Sequence, residues 1–244
     1  MKKMLAILQA TIVLLLASCG GAKTENEGTT DTTVAATTAD TATKIAPVTA
    51  PAFQPFKVAM VKIKVKDFTK WKTQYASGDS LRKAYGFTHL GTGRTIADSN
   101  VVFVAYKIDD VAKAKEFGKS PQLKARMQKG GVIGPRVASY IDVIRDEEPG
   151  ASIKDRVYVT HKVKDFDSWL KGYDAEGKEA RAAHGMVDIG LGRGIDDPNM
   201  VYLLFGVTDM EKAKARANSP ELKKIMTDAG VVGKPELVFY REVE

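Results

Sequence analysis

The pattern of hydrophobic and polar positions in residues 56–146 predicts the order strand, helix, strand, strand, helix, strand. The first strand carries apolar residues at Val58, Val61, Ile63 and Val65. The helix after it has aromatic residues at positions i, i+3 and i+7, which places all three on one face. These residues are Phe68, Trp71 and Tyr75. An amphipathic helix is therefore expected to pack this face on the sheet.

A hairpin, a second helical region and a last strand complete this unit. Residues 88–96 and 101–108 are predicted strands, and the Asp, Ser and Asn residues at 98–100 suit the turn between them. The second helical region covers residues 109–131 and ends at two glycines, as helices often do. The last predicted strand covers residues 137–144, so the unit reads βαββαβ.

The chain repeats this unit. Val65-Lys66-Asp67-Phe68 returns as Val163-Lys164-Asp165-Phe166, 98 residues later, and one inserted residue then changes the offset to 99. Tyr75 matches Tyr173 before the insertion, and Arg82 matches Arg181 after it. The correspondence continues through almost the whole unit, so the sequence predicts two homologous domains, 56–146 and 155–244.

Two such units in one chain can cover each other. A βαββαβ unit forms a four-stranded antiparallel sheet with both helices on one face, which leaves the other face bare. The third strand, residues 101–108, is apolar on both faces, and residues 200–207 of the second unit are similar. A bare apolar sheet would be a large exposed patch. The predicted fold class is therefore α+β, with the two sheets packed face to face within one chain.

Four motifs resemble the dimeric α+β barrel superfamily, and in particular the small proteins grouped with antibiotic-biosynthesis monooxygenases. They are Val163-Lys164-Asp165-Phe166-x-x-Trp169, Asp196-Asp197-Pro198-Asn199, Ser219-Pro220-Glu221-Leu222 and Gly230-Val231-Val232-Gly233. The resemblance covers both units and implies ferredoxin-like domains that share a barrel cavity. It also implies that the usual two-subunit barrel is fused here into a monomeric pseudo-dimer.

The N-terminal segment indicates export. Lys2 and Lys3 precede an apolar run at residues 4–17, which is shorter than the roughly 20 residues of a membrane span. Residues 1–18 are therefore predicted to be a signal peptide. Its end, Leu16-Ala17-Ser18-Cys19, resembles the lipobox of bacterial lipoproteins, which implies lipidation of Cys19. The alternative is that Cys19 is an ordinary residue and the product is freely secreted.

Residues 19–55 are rich in Thr, Ala and Pro and are predicted to be a disordered tether, because they hold too little apolar surface to form a core. With residues 1–18 removed, the formal net charge falls from +7 to +5. The chain has no dense basic block, so we expect no nucleic-acid partner. The expected location is the bacterial cell envelope, with the lipid on Cys19 in a membrane, the outer membrane being favoured.

Candidate functional residues are few. Cys19 is the only cysteine, so neither a disulfide within the chain nor a cysteine-based metal site is expected. His89, His161 and His184 lack the spacing of zinc ligands, and the sequence predicts no metal and no cofactor. His161 has the same strand parity as Val159 and Val163, which favours a buried, hydrogen-bonded histidine; a general base or cofactor ligand is the alternative.

Aromatic residues and arginines supply the other candidates. Trp71 and Trp169 recur in the helical stripes and are expected to be core residues, with a cavity wall as the alternative. Arg94 and Arg193 follow Gly-x-Gly, and Arg82 and Arg181 end the first helical regions. These duplicated arginines have two possible roles. They form either an anion clamp inside the barrel or surface ion pairs with Asp98 and Asp197.

These residues leave three functions open. The first is a lipid-anchored envelope protein that binds a small apolar or aromatic molecule in the barrel cavity, with Arg94, Arg193, His161, Trp71 and Trp169 as candidate contacts. The second, implied by the resemblance, is a cofactor-independent monooxygenase or a haem-handling enzyme in which His161 and Arg193 act. The third is a structural or interaction module.

Overall fold

The computed structural model describes residues 53–147 and 150–243. The predicted signal peptide, Cys19 and all but the last three residues of the predicted tether lie outside these ranges. None of the described helices is both long and apolar enough to cross a membrane.

Each repeat contains four strands and four helices. The strands are β1 (Phe56–Val65), β2 (Phe87–Thr95), β3 (Val101–Ile108), β4 (Val132–Asp146), β5 (Asp155–Val163), β6 (Met186–Gly194), β7 (Met200–Val207) and β8 (Val231–Val243). The helices are α1 (Phe68–Ala76), α2 (Asp79–Ala84), α3 (Val111–Lys119), α4 (Pro121–Lys129), α5 (Phe166–Glu176), α6 (Lys178–Ala183), α7 (Met210–Ala217) and α8 (Pro220–Asp228). The repeated βαββαβ order is confirmed, and each predicted helical region is a pair of short helices.

The eight strands form one closed antiparallel barrel in the order β1-β3-β2-β8-β5-β7-β6-β4. The sheets of the two repeats meet along two junctions, β2 with β8 and β4 with β6. The predicted α+β fold, with two ferredoxin-like units facing each other, is therefore confirmed. The facing sheets also share hydrogen-bonded edges, so the barrel encloses their inner faces.

Strand alternation divides the apolar residues between three cores. On β5, Val157, Val159 and Val163 face the helices and belong to the helix–sheet core of the second repeat. Tyr158, between them, belongs to the core inside the barrel. The first repeat has its own helix–sheet core, which contains Trp71. The helices therefore cover the outer surface of the barrel, and each repeat keeps a space between helices and sheet.

Side-chain caps fix where the helices start. Asp67 accepts a hydrogen bond from Lys70 N at 2.7 Å, and Asp165 accepts one from Ser168 N at 2.8 Å. These caps satisfy backbone donors that an α-helix leaves open at its first turn. Both α1 and α5 consequently begin directly after the first strand of their repeat, with Trp71 and Trp169 aimed at the sheet.

Glycines allow the two sheets to approach at the junctions. A Cβ atom on Gly192 of β6 would lie 2.5 Å from Ile141 Cγ2 and 2.7 Å from Asp142 O, both on β4. On Gly93 of β2 it would overlap the ring of Tyr240 on β8. The second glycine of each Gly-x-Gly sequence therefore permits close packing at its junction.

Gly192→Ala is expected to lower the free energy of unfolding by about 1 to 3 kcal/mol, because the new methyl group meets a backbone carbonyl that moves only if the junction opens. Urea denaturation measures this change. Gly190→Ala is the matched control on the same strand, since its Cβ would be 3.8 Å from the nearest atoms. Equal loss in both variants would contradict the role of Gly192.

Candidate functional site

Each repeat has a pocket between its helices and its sheet, and the two pockets differ in size. We name them the repeat-1 pocket and the repeat-2 pocket. The repeat-2 pocket has a volume of about 420 Å³, whereas the repeat-1 pocket has about 90 Å³. Residues that line the repeat-2 pocket include His161, Trp169, Tyr173, Arg181, Phe205 and Arg216. Duplication has therefore produced two unequal sites.

His161 lies on β5 at the wall of the repeat-2 pocket. Its residue surface is 4% exposed, and neither imidazole nitrogen has a hydrogen-bond partner within the described part of the chain. Its ring centre is 5.3 Å from that of Trp169, in an edge-to-face arrangement. The expected burial is confirmed, but the expected hydrogen bond is wrong, because the neighbouring wall is apolar.

Burial determines the charge of His161. Loss of solvation lowers the pKa of the imidazole from 6.5 to about 4, because the charged form is poorly stabilised away from water. The ring is consequently neutral at neutral pH. A neutral imidazole has one N–H donor and one nitrogen acceptor. Both are available to a molecule in the pocket.

A buried charged network forms another part of this pocket. Arg181 Nε and Nη2 donate to Asp188 Oδ1 and Oδ2 at 2.9 and 2.7 Å. Nη1 donates to Tyr173 O at 3.0 Å, and the guanidinium carbon lies 3.9 Å from the centre of the Tyr173 ring. The Tyr173 hydroxyl donates to Asp188 at 3.1 Å. Burial, and then the charge of Asp188, raises the pKa of Tyr173, so its hydroxyl stays protonated.

Glu176 joins a second arginine to this network. Arg216 Nη2 donates to Glu176 Oε1 at 2.7 Å, and Arg181 Nη1 lies 3.6 Å from Glu176 Oε2. Arg216 Nη1 also lies 3.0 Å from Glu221 Oε2. Both arginines of the pocket are thus held by carboxylates. The charges position each other, and Arg216 Nη1 is the guanidinium nitrogen of this network that is buried without a hydrogen bond among the described residues.

The repeat-1 pocket has apolar residues at two positions where the repeat-2 pocket has polar ones. Ile63 stands at the position of His161, and Phe117 stands at the position of Arg216. Phe117 is buried and stacks on Tyr85 with 4.7 Å between ring centres. His89 stands where the second repeat has Asp188. Apolar side chains therefore fill much of the first pocket, and its arginine Arg82 lacks the carboxylate that Arg181 has.

The two tryptophans occupy equivalent places in the helix–sheet cores. Trp71 is 5% exposed and Trp169 is 4% exposed. Each stacks on the tyrosine one turn later, with ring centres 4.9 Å apart for Trp71 and Tyr75, and 5.1 Å apart for Trp169 and Tyr173. Each also lines its own pocket. The structure thus brings Trp169 together with His161.

Arg94 and Arg193 are not among the residues that line the repeat-2 pocket. The guanidinium of Arg94 lies 4.2 Å from the ring centre of Phe68, and that of Arg193 lies 4.3 Å from the ring centre of Phe166. Arg193 Nε donates to Pro198 O at 3.2 Å. The structure therefore separates Arg193 from His161.

The partners suggested for surface ion pairs of these two arginines, Asp98 and Asp197, are wrong. Arg193 Nη1 instead lies 3.8 Å from Oδ1 of the exposed Asp167. Lys64 Nζ lies 2.8 Å from Asp98 Oδ2, and Lys162 Nζ lies 2.7 Å from Asp197 Oδ2. Lysines one residue before the end of β1 and β5 reach these turn carboxylates, while the arginines stack on phenylalanine rings.

The other two histidines lie elsewhere. His89 on β2 shares a hydrogen bond of 2.9 Å with Thr92 Oγ1, and burial followed by the charge of Arg82 lowers its pKa. His184 is the C-cap of α6. Across the described residues, 53–147 and 150–243, no cluster of His, Cys, Asp and Glu could hold a metal ion.

The space inside the barrel is divided into two cavities of about 370 and 200 Å³. Met60, Phe103, Tyr158 and Tyr202 line both, so they separate them. The larger cavity contains Arg156, whose guanidinium is bonded to Ile153 O, Ala151 O and Glu242. The Arg156 guanidinium, the charged donor of this cavity, therefore already has hydrogen-bond partners in the chain.

Sequence reasoning identified His161, Trp169 and Arg181 but missed Glu176, Asp188 and Arg216. A signal for two of these existed in the repeat alignment. Asp188 is acidic and Arg216 is basic where the first repeat has His89 and Phe117. Glu176 lies at the one-residue insertion, where alignment of the repeats is ambiguous.

No protein-family model matches this chain, and no curated protein matches it. Solved structures do resemble it. One is a candidate monooxygenase from Fusobacterium nucleatum subsp. nucleatum, with 15% identity and a TM-score of 0.52, over 78% of this chain and 93% of that one. Another is an anthrone oxidase-like protein, with 14% identity and a TM-score of 0.52, over 78% and 92% of the two chains.

At such low identity the similarity concerns the fold alone. It agrees with the repeated βαββαβ order and with the closed barrel of eight antiparallel strands. This chain has the ferredoxin-like dimeric α+β barrel fold, with both halves of the barrel in a single polypeptide.

Proposed function

We propose that the protein binds a small, largely apolar or aromatic molecule in the repeat-2 pocket. The observation that carries this proposal is His161, whose two buried ring nitrogens have no partner at the wall of a cavity of about 420 Å³. Leaving a buried donor or acceptor unsatisfied costs about 1 to 3 kcal/mol. A ligand that bonds to His161 would recover that cost.

The pocket walls favour a particular kind of ligand. Trp169, Phe205 and Leu222 contribute apolar surface, and ligand pockets typically combine such walls with a few polar groups. The neutral imidazole can donate one hydrogen bond and accept another. A phenol or a quinone, with an aromatic body and a polar edge, fits both features.

The repeat-2 pocket is a better candidate than the space between the sheets, where the sequence suggested the ligand. Inside the barrel, Arg156 is bonded to carbonyl groups and to Glu242, and Phe103 and Tyr158 divide the space. Among the described residues, the Tyr158 hydroxyl of this space is also buried without a hydrogen-bond partner. It offers a ligand one polar group, whereas His161 offers two ring nitrogens.

Native mass spectrometry and titration calorimetry on the full chain test this proposal. Envelope lipid extracts, phenols and quinones are the probes, and one bound molecule per chain is the expected result. If none of these binds, while the chain retains one constant envelope protein in pull-down experiments, the interaction-module hypothesis replaces ligand binding.

A second candidate function is oxygenation of the bound molecule without a cofactor. The neutral imidazole of His161 has a free nitrogen inside an apolar pocket and can accept a hydrogen bond, or a proton, from a bound phenol. Its lowered pKa makes it a weak base, so this function also requires that a bound ligand raise the pKa of the imidazole. Oxygen consumption with a panel of phenols measures turnover. Equal rates for the wild type and His161→Ala would exclude His161 as that base.

Haem, the other ligand that the resemblance implies, does not fit this pocket. The His161 imidazole could ligate iron. However, the cations among the described lining residues, Arg181 and Arg216, are bonded to Asp188 and Glu176. One guanidinium nitrogen, Arg216 Nη1, lacks a hydrogen bond among the described residues. The pocket therefore offers one open donor for the two carboxylates of haem. Haem titration is expected to leave the Soret band unchanged.

We also propose that the chain is anchored in the outer membrane of the envelope through Cys19, because its lipobox-like sequence follows an apolar signal segment. Cys19→Ala is expected to move the protein from the membrane fraction to the soluble fraction of the host bacterium. Immunoblots of the fractions, with mass spectrometry of the mature N-terminus, measure this. An unlipidated wild-type N-terminus would contradict anchoring.

A further inference from the structure

We propose that the repeat-1 pocket binds the carboxylate of a small organic anion between Arg82 and Arg126, above Gly78. This site is separate from the repeat-2 pocket and does not depend on His161. Both arginines and the glycine line the repeat-1 pocket.

The geometry at Gly78 carries the proposal. A Cβ atom on this buried glycine would lie 3.0 Å from Arg82 Nη1 and 3.4 Å from both Arg126 Nη1 and Tyr75 O. Both guanidinium groups therefore lie on the side of Gly78 where a side chain would project, and glycine leaves the space in front of them to a ligand. Guanidinium groups bind carboxylates through charge-assisted hydrogen bonds, so one carboxylate that approaches from the pocket can bridge Arg82 and Arg126.

The second repeat shows the same place occupied from within the chain. Arg181 and Arg82 both stack on a tyrosine and donate Nη1 to its carbonyl, Tyr173 O and Tyr75 O. In the second repeat the carboxylate of Glu176 lies between Arg181 and Arg216. In the first repeat the equivalent corner is Ser77-Gly78, which has no carboxylate. The second arginine comes from a different helix in each repeat, α4 for Arg126 and α7 for Arg216. Repeat 2 therefore provides an internal precedent for a carboxylate beside Arg181, the counterpart of Arg82.

The remaining contacts of the two arginines leave room for this anion. Arg82 Nη2 lies 3.6 Å from Asp79 Oδ1, but that carboxylate is half exposed and lies closer, at 2.9 Å, to Lys83 Nζ. Arg82 Nε is buried without a partner. Arg126 Nη1 has only long contacts, with Ser77 O at 3.4 Å and Ser77 Oγ at 3.5 Å.

The charged side chains that line the described repeat-1 pocket are all positive. A third arginine, Arg136, lines it and donates to Gly118 O at 3.3 Å. The described residues that line this pocket include three arginines and no acidic side chain. In the repeat-2 pocket, Glu176 balances the two arginines. An incoming anion would supply the missing negative charge in repeat 1.

The size of the pocket limits the rest of the ligand. Trp71, Phe117 and Met127 provide an apolar wall, but the volume is only about 90 Å³, whereas a dry cavity of roughly 150 Å³ accepts benzene. The ligand class is therefore a short-chain monocarboxylate, with its carboxylate on the arginines and a few carbons against the apolar wall.

Titration calorimetry of the full chain with butyrate tests this inference, with butyramide as the uncharged control. Saturable butyrate binding, at roughly millimolar affinity, and no butyramide binding are expected. Gly78→Glu should weaken butyrate binding about tenfold or more, because it places a carboxylate between the arginines as in repeat 2. Arg126→Gln should weaken binding similarly, and circular dichroism checks that both variants are folded.

His161→Ile separates this site from the other one, because it alters only the repeat-2 pocket and should leave butyrate affinity unchanged. A butyrate affinity that falls in His161→Ile but not in Gly78→Glu would overturn the inference. So would the absence of saturable binding to the wild type, or equal binding of butyrate and butyramide.

Discussion

Arg181→Met is expected to lower the free energy of unfolding by about 3 to 5 kcal/mol, as measured by urea denaturation, because it removes one member of a buried ion pair. The side chains of Arg181 and Asp188 are 5% and 12% exposed. Without the guanidinium, the Tyr173 hydroxyl is the only side chain among the described residues that still donates to Asp188. A buried carboxylate with so few donors is strongly unfavourable.

Arg82→Met is the matched control in the first repeat. Arg82 stacks on Tyr75 as Arg181 stacks on Tyr173, but its nearest carboxylate, Asp79, is half exposed. Exposed pairs contribute little, so this variant should lose only about 1 kcal/mol. Equal losses in the two variants would show that stacking, and not the bond to Asp188, stabilises the second repeat.

His161→Ile is expected to weaken ligand binding about tenfold or more while it makes the protein more stable to acid. Ile63, at the equivalent position of the first repeat, is 6% exposed and belongs to its core, which shows that isoleucine fits this strand position. The variant removes two unsatisfied ring nitrogens. The protein thus retains a destabilising residue at the position where we propose that ligand binds.

The acid effect has a defined direction. Burial lowers the pKa of His161 from 6.5 to about 4 in the folded state. Above pH 6.5 the ring is neutral in both states and pH has no effect through it. Between pH 6.5 and 4 the unfolded chain binds a proton that the folded chain does not, so stability falls as pH falls, by about 3 kcal/mol in total.

Urea denaturation of wild type and His161→Ile at several pH values isolates this contribution, because the carboxylates that also titrate in acid are common to both proteins. The difference in stability should grow from pH 6.5 to pH 4. His184→Gln serves as a control and should follow the wild type. A pH-independent difference between wild type and His161→Ile would contradict a neutral, buried His161.

The fold could be predicted from the sequence because the apolar periodicities of strands and helices, together with the duplication, restrict it strongly. The alternation of Val157, Tyr158 and Val159 assigns one face of β5 to the helices and the other to the barrel. Two homologous units with apolar inner faces then cover each other.

The details of the site depend on long-range packing that such signals do not contain. Strand parity predicted that His161 is buried, but its missing hydrogen bond depends on the side chains that distant elements place around it. Arg193 resembled a pocket residue by its place in the repeat, yet it stacks on Phe166. The site proposed at Gly78 could not be predicted, because it needs Arg126, which belongs to another helix, beside Arg82.

Barrel closure also has a consequence for biosynthesis. The edge strands of the first repeat, β2 and β4, find their partners in β8 and β6, which a ribosome makes later. Until then the first half presents two open strand edges and an uncovered apolar sheet, features that favour aggregation. A nascent chain of this protein therefore needs protection until its final strand, β8, has been synthesised. A chaperone or rapid synthesis of the second half would provide it.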